Sequence, residues 1–185
     1  MNIQLPPIRT ADDFLRAFEG LDGKREFVRG KVIDMMVNVS RNHAKLTTAL
    51  TVFLARTLDA ERYEVGAADF GVRTPDGVRF PDVYVDQTGG GGQDLVAHAP
   101  VFVAEILSPS SMARDFGEKV RDYTALPSLL HYLVLSQDEP RVWLWARGED
   151  GAFGSPEMVV GAEESVTLQG FGLCLPLADL YRGIA

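Results

Sequence analysis

A single cysteine, Cys174, excludes an internal disulfide framework in this 185-residue chain. Its place between Leu173 and Leu175 points to a small buried apolar side chain rather than to a nucleophile. No apolar stretch reaches the roughly 20 residues that cross a bilayer, and the first seven residues lack a basic region leading into an apolar core. A cytoplasmic protein with no membrane segment is therefore expected. Positive charge is also scarce, because 18 Lys and Arg stand against 26 Asp and Glu, for a net charge of -8. That balance excludes a surface that grips nucleic acid throughout, since such affinity comes from neutralised phosphates. It leaves room for a local basic groove, and Arg29, Lys31, Arg41, Lys45, Arg73, Arg79, Arg114, Lys119 and Arg121 fall near the elements that matter below. The glycine run 89–92 lacks the Lys-Ser/Thr ending of a phosphate-binding loop and reads as a polar connector. No Gly-x-Ser-x-Gly elbow surrounds Ser108 or Ser110, which excludes the common serine-nucleophile arrangement. Neither an internal repeat nor a zinc finger is visible.

With 46% hydrophobic and 24% charged residues, the chain has the composition of one ordinary globular domain spanning residues 1–185. Thr10 caps a short helix over 12–19, and residues 25–35 read as a hairpin turning at Gly30 with Glu26 on its first arm. Ser40 caps a helix through about residue 60, in which Leu46, Leu50, Phe53, Leu54 and Leu58 recur at helical spacing and His43 continues the stripe. Strands follow at 63–67, 71–73 and 78–85. The apolar strand 101–107, a polar stop over 108–111, a helix over 114–125 and strands at 129–135 and 141–146 make a βαβ crossover within a mixed sheet. Segments 153–160 and 165–168 read as a late hairpin, and 177–181 as a terminal helix.

Within that frame Glu105 stands out, because it interrupts the otherwise apolar run from Val101 to Leu107. A buried carboxylate must neutralise, pair with a cation or coordinate a metal. A second acid, Asp82, follows Pro81 in a similar strand setting. The two could supply the one or two carboxylates by which Mg²⁺ is commonly held, provided their strands are neighbours in register. Lys119 borders the apolar stripe of its helix and could reach back over the strand ends. It also stands four residues from Asp115, and a solvated helix pair is the competing reading. For Asp82 the competing reading is a turn residue, and for Glu105 a buried structural ion pair. His43 is a candidate phosphate contact or a hydrogen-bonded core histidine. His98 and His131 show no metal-ligand spacing and read as structural.

The segment Glu105-Ile106-Leu107-Ser108-Pro109-Ser110, followed by Asp115, Lys119 and Tyr123 at four-residue spacing, resembles the Uma-two family of the PD-(D/E)XK nuclease superfamily. Glu26, His43, Pro81-Asp82 and the Tyr132-Leu133-Val134 strand extend the resemblance over about 26–142. The resemblance implies an α/β, restriction-endonuclease-like fold, a central mixed β-sheet flanked by α-helices, with the site-bearing core at about 24–147. It implies a metal-dependent endonuclease acting on DNA, with nucleic acid and a second copy in a homodimer as the expected partners. By the same resemblance Asp82, Glu105 and the main-chain carbonyl of Ile106 would bind Mg²⁺, with Mn²⁺ as the alternative. Glu26 would complete or orient the site, Lys119 would position the attacking water, and His43, Ser108 and Tyr123 would face the substrate. The superfamily's usual lysine lies two residues beyond the acid on the same strand, where this chain has Leu107, so Lys119 would fill that space from the following helix. Two other readings remain open: a nuclease-fold binding or scaffolding module, and a metal-dependent phosphoesterase for RNA or a small phosphate substrate.

Overall fold

The computed structural model describes residues 7–35, 38–108 and 112–184. In chain order it contains α1 (Ala11–Phe18), β1 (Arg25–Val28), β2 (Lys31–Asp34), α2 (Arg41–Thr57), β3 (Tyr63–Ala67), β4 (Val72–Thr74), β5 (Gly77–Arg79), β6 (Val83–Gln87) and β7 (Pro100–Ile106). Then follow α3 (Met112–Asp115), α4 (Glu118–Thr124), β8 (His131–Leu135), β9 (Arg141–Ala146), β10 (Glu157–Val160), β11 (Ser165–Leu168), β12 (Leu173–Pro176) and α5 (Leu177–Leu180). Pro109, Ser110 and Ser111, expected to form the polar stop after β7, lie outside the described residues.

The main sheet has six strands in the order β10-β9-β8-β7-β6-β3. It is mixed because β7 and β8 run parallel through the α3–α4 crossover while the other pairs are antiparallel. All seven β7 residues are buried, as expected where both faces of a strand are covered. Alternation divides them. Phe102, Ala104 and Ile106 join Leu46, Leu50 and Leu54 of α2, whereas Val103 joins Tyr123 of α4 together with Tyr132 and Val134 of β8. Glu105 therefore opens on the α4 side, two positions from Val103. A second, four-stranded antiparallel sheet, β2-β1-β5-β4, closes that end of the molecule, and Phe14, Phe27 and Val78 form its own small core.

The mixed sheet, its flanking helices and the parallel crossover are as expected from the sequence, and several boundaries are not. The expected strand over 78–85 is two strands in two sheets, because Pro81 supplies no amide donor and the chain turns over Phe80-Pro81-Asp82 from β5 into β6. The expected helix over 114–125 is broken between α3 and α4 at Phe116-Gly117. The late hairpin is also re-partnered: β10 adds to β9, while β11 pairs with β12, a strand not anticipated. Cys174, expected to be buried, is exposed. It sits on the outward alternate of β12, between inward Leu173 and Leu175.

Gly77 is where β5 crosses closest to β1, and a Cβ there would overlap the Phe27 carbonyl oxygen. Gly77→Ala should therefore cost at least about 2 kcal/mol in urea unfolding. Gly30→Ala, in the open hairpin turn with nothing near it, should cost about 1 kcal/mol from its positive φ alone. Equal losses in the two variants would contradict this packing.

Candidate functional site

Glu105 is buried, with 4% of its surface exposed. Its carboxylate is held on both oxygens: the Tyr123 hydroxyl donates to Oε1 at 2.9 Å, and the Lys119 ammonium lies 2.9 Å from Oε2. Lys119 is itself only 2% exposed and lies 3.1 Å from Asp115 Oδ1, whose residue is 1% exposed. The reading of Asp115 and Lys119 as a solvated pair is thus replaced by a buried triad with Glu105. The Asp115 backbone is fixed in turn by the Tyr132 hydroxyl, which donates to its carbonyl at 3.0 Å.

The register of β6 on β7 pairs Val83 with Ala104, which brings Asp82, one residue before β6, alongside the Glu105–Ile106 end of β7. Asp82 Oδ2 accepts from the Ile106 amide at 2.7 Å. From the α2 side His43 Nε2 approaches the same oxygen at 3.1 Å. The helix cap sets that approach, because Ser40 Oγ accepts from the His43 amide at 3.1 Å and fixes the first turn. Among these groups Asp82 is the one open to solvent, its side chain being 22% exposed. Ser108 follows β7 and is half-buried. Tyr123, expected to face the substrate, is fully buried and reaches Glu105 instead. His98 is exposed, and His131 is buried against Phe171, outside the site.

Glu26 reaches the site indirectly. It is fully buried and paired at 2.7 Å with Arg79, which is also fully buried. Arg79 donates through Nε and Nη2 to Asp122 Oδ2 at 3.0 and 2.5 Å. Asp122 lies one turn from Lys119, so this arginine ties the small sheet to the helix that carries the lysine. Arg79, expected among the basic residues of a local groove, is instead fully buried, and Asp122 is not among the candidate residues of the sequence. The available signal was the acidic face of Glu118 and Asp122 on a half-buried helix, which demands a cation from elsewhere in the fold.

Electrostatics follow from burial. Desolvation pushes the Glu105 carboxyl up to about 8; Lys119 opposes this rise, and Asp82 and Asp115 add to it. For Lys119, burial acts downward, but Glu105, Asp115 and Glu26 overcome it and hold the ammonium above the ordinary lysine range. Burial and the nearby Glu105 keep the Tyr123 phenol protonated and donating. Around these groups four carboxylates, from Glu26, Glu105, Asp115 and Asp122, share two buried cations, Arg79 and Lys119, while Asp82 meets His43 and the half-exposed Arg29 stands 3.9 Å from Asp122. Such a negative excess favours uptake of a proton or of a hard cation. Asp82 and Glu105 with the Ile106 carbonyl offer the oxygen donors that suit Mg²⁺ or Mn²⁺. Among the described residues no group of three His, Cys, Asp or Glu side chains could hold a metal, so the remaining ligands would have to be waters or substrate oxygens, as is usual for Mg²⁺.

A mixed sheet with an acid pair and a lysine at one strand end defines the class of restriction-endonuclease-like α/β proteins. The chain belongs to the Uma2 family, described as "Putative restriction endonuclease", whose model matches residues 11–178. Among its relatives, an uncharacterized protein of Synechocystis sp. (strain ATCC 27184 / PCC 6803 / Kazusa) is 27% identical over 185 residues, covering 97% of this chain and 94% of that one. A second uncharacterized protein of the same strain is 28% identical over 142 residues, covering 74% of this chain and 80% of its own. The fold is similar to the crystal structure of "a putative nuclease belonging to DUF820" from Anabaena variabilis, with a TM-score of 0.74 and 18% identity over 95% of this chain and 99% of that one.

A carboxyl that moves from 4.5 in the unfolded chain to about 8 in the folded one binds its proton more tightly when folded. Its contribution to stability is full below the unfolded value and is lost as pH rises through about 8. Glu105→Gln imitates the protonated form at every pH. The melting temperature of this variant minus that of the parent should therefore climb from about pH 5 to about pH 9, by roughly 2–4 °C per kcal/mol. A flat or falling difference across that range would contradict the buried-carboxyl account.

Proposed function

We propose that this protein is a Mg²⁺- or Mn²⁺-dependent endonuclease that hydrolyses phosphodiester bonds in DNA, formed by one domain and acting in the cytoplasm as a homodimer. The observation that carries the reading is the buried Lys119 ammonium, delivered by α4 to 2.9 Å from Glu105 Oε2. A surface ion pair of that length would mean little. Here a charged lysine is held inside the protein against Glu105, and the partly exposed Asp82 sits at the end of the same strand, on the Ile106 amide.

Asp82, Glu105 and the Ile106 carbonyl would hold the cation, which when bound supplies Lewis-acid polarisation of the scissile phosphate. Lys119 stays protonated, orients the attacking water and stabilises charge developing on the phosphoryl oxygens. Tyr123 fixes Glu105 through its hydrogen bond to Oε1, and His43 fixes Asp82, leaving Ser108 and the His43 edge nearest to an incoming phosphate. Glu26 acts through Arg79 and Asp122, by holding α4 and hence Lys119 against the strand ends. Among the described residues no helix is long and apolar enough to cross a membrane.

A second reading has its own support: with both Glu105 oxygens engaged by Tyr123 and Lys119, the site also makes sense as a structural ion-pair cluster in a binding module. Plasmid and single-stranded DNA incubated with Mg²⁺ or Mn²⁺ separate the two. The parent should cleave only with metal, and Lys119→Ala should lose at least about 100-fold in rate, the scale of a removed transition-state donor. Metal-independent nicking that survives in Lys119→Ala would reject the site. No cleavage and no metal-induced rise in melting temperature would favour the binding module. Sedimentation of the same samples reads the assembly, and an active monomer would remove the dimer from the proposal.

A further inference from the structure

β10 ends the main sheet: among the described residues it pairs with β9 and with no other strand. The Gly161 amide donates to the Pro140 carbonyl at 2.9 Å, in line with the β9 register. Antiparallel alternation then turns the backbone of Val159 and Glu157 toward β9 as well, and turns the N–H and C=O of Met158 and Val160 to the open edge. The side chains of those same residues share one face of the sheet with Trp143, which lies opposite Met158 on β9. Met158 is 58% exposed, the highest value of any large apolar side chain among the described residues, and Val160 is 44% exposed.

The other edges of the two larger sheets carry charge at exposed positions, which is the usual protection against edge-to-edge pairing: Glu64 on β3, Lys31 and Asp34 on β2, and Arg73 on β4. β10 is charged only at Glu157, its first residue. An apolar edge without that protection is a template for another strand, and the sequence of β10 fits itself. A two-fold axis through Val159, normal to the sheet, sets Met158 of each copy opposite Val160 of the other, so that their outward backbone groups exchange hydrogen bonds. This register gathers Met158 and Val160 of both copies on one face. It also sets Glu157 opposite Gly161, so that no acid faces an acid. An axis through Met158 would instead put Pro156, which has no amide donor, against Val160. An axis through Val160 would carry Met158 past the end of β10, where the chain turns at Gly161 with a φ of 119°.

We infer that this protein pairs with a second copy of itself through β10, antiparallel and in register about Val159, so that the two main sheets become one. The inference rests on the homodimer of the proposed function and names its surface, and it needs neither the metal nor the nuclease chemistry. β10 is 4 residues long, and a strand pair of that length covers less than the roughly 1,600 Å² of a standard interface. The dimer should therefore be concentration-dependent, and a single charge at its centre should break it.

The test is sedimentation velocity of the full chain from low to high micromolar concentration, on the parent, Met158→Lys, Val160→Glu and Val52→Lys. Val52 is an equally exposed apolar residue on α2, and its variant should dimerise like the parent. Met158→Lys and Val160→Glu should each raise the dissociation constant at least about tenfold, with melting temperatures close to the parent's because both side chains are exposed. An equimolar mixture of these two variants sets lysine opposite glutamate across the axis, and it should dimerise more tightly than either variant alone. A parent dimer that neither variant weakens would overturn the inference and leave the homodimer standing on another surface. Weakening by Val52→Lys to the same extent, or no recovery in the mixture, would overturn the pairing about Val159. A parent that stays monomeric at every concentration would overturn the inference and the homodimer together, whereas metal-dependent cleavage by that monomer would leave the nuclease reading intact.

Discussion

Burial of the Glu105 carboxyl is the constraint on which the rest of the structure turns. A lone carboxylate at that depth would be expelled or neutralised, and this fold surrounds it with one ammonium, one phenol and a further layer that holds those two in place. Lys119 requires Asp115, and the Tyr132 hydroxyl fixes the Asp115 backbone. Asp122, one turn further on, requires Arg79, and Arg79 brings Glu26. Each added charge needs the next. The series reaches the small sheet at Glu26 and the half-exposed rim at Arg29 and Glu118.

That dependence explains why two sheets meet here. If β5 continued straight into β6, Arg79 and Asp82 would belong to one sheet, and the arginine could not stand against α4. The turn over Phe80-Pro81-Asp82 sends Arg79 into the cage and Asp82 to the end of β7. The break at Phe116-Gly117 similarly lets α4 take its own angle, while the four-residue step from Asp115 to Lys119 still brings both side chains together. Such clusters often contribute little net stability compared with apolar packing.

Much of this was legible in the sequence because its signals are local. Glu105 is conspicuous as the acid in an apolar strand, Lys119 as a lysine beside an apolar stripe, and His43 as a continuation of the α2 core face. The order of strands and helices around them follows from periodicity and turn residues. The Arg79 cage was not legible, because its pairs join residues 43 and 53 positions apart and depend on the sheet assignment of β5. The re-pairing of β10 and β11 failed for the same reason, since a hairpin reading assumes that sequence neighbours pair. Cys174 illustrates a weighting error instead. Strict alternation across Leu173, Cys174 and Leu175 places the cysteine outward, whereas its residue type alone suggested burial.

Burial pushes the Glu105 carboxyl up to about 8, so the proposed metal site requires a hard cation bound there to compete with a proton. Isothermal titration of Mn²⁺ or Mg²⁺ near pH 7, in two buffers of different ionisation enthalpy, counts the protons released on binding. The account predicts release approaching one proton per bound ion in the parent and none in Glu105→Gln. Binding without proton release, equal release from Glu105→Gln, or no metal binding in the folded parent would contradict it.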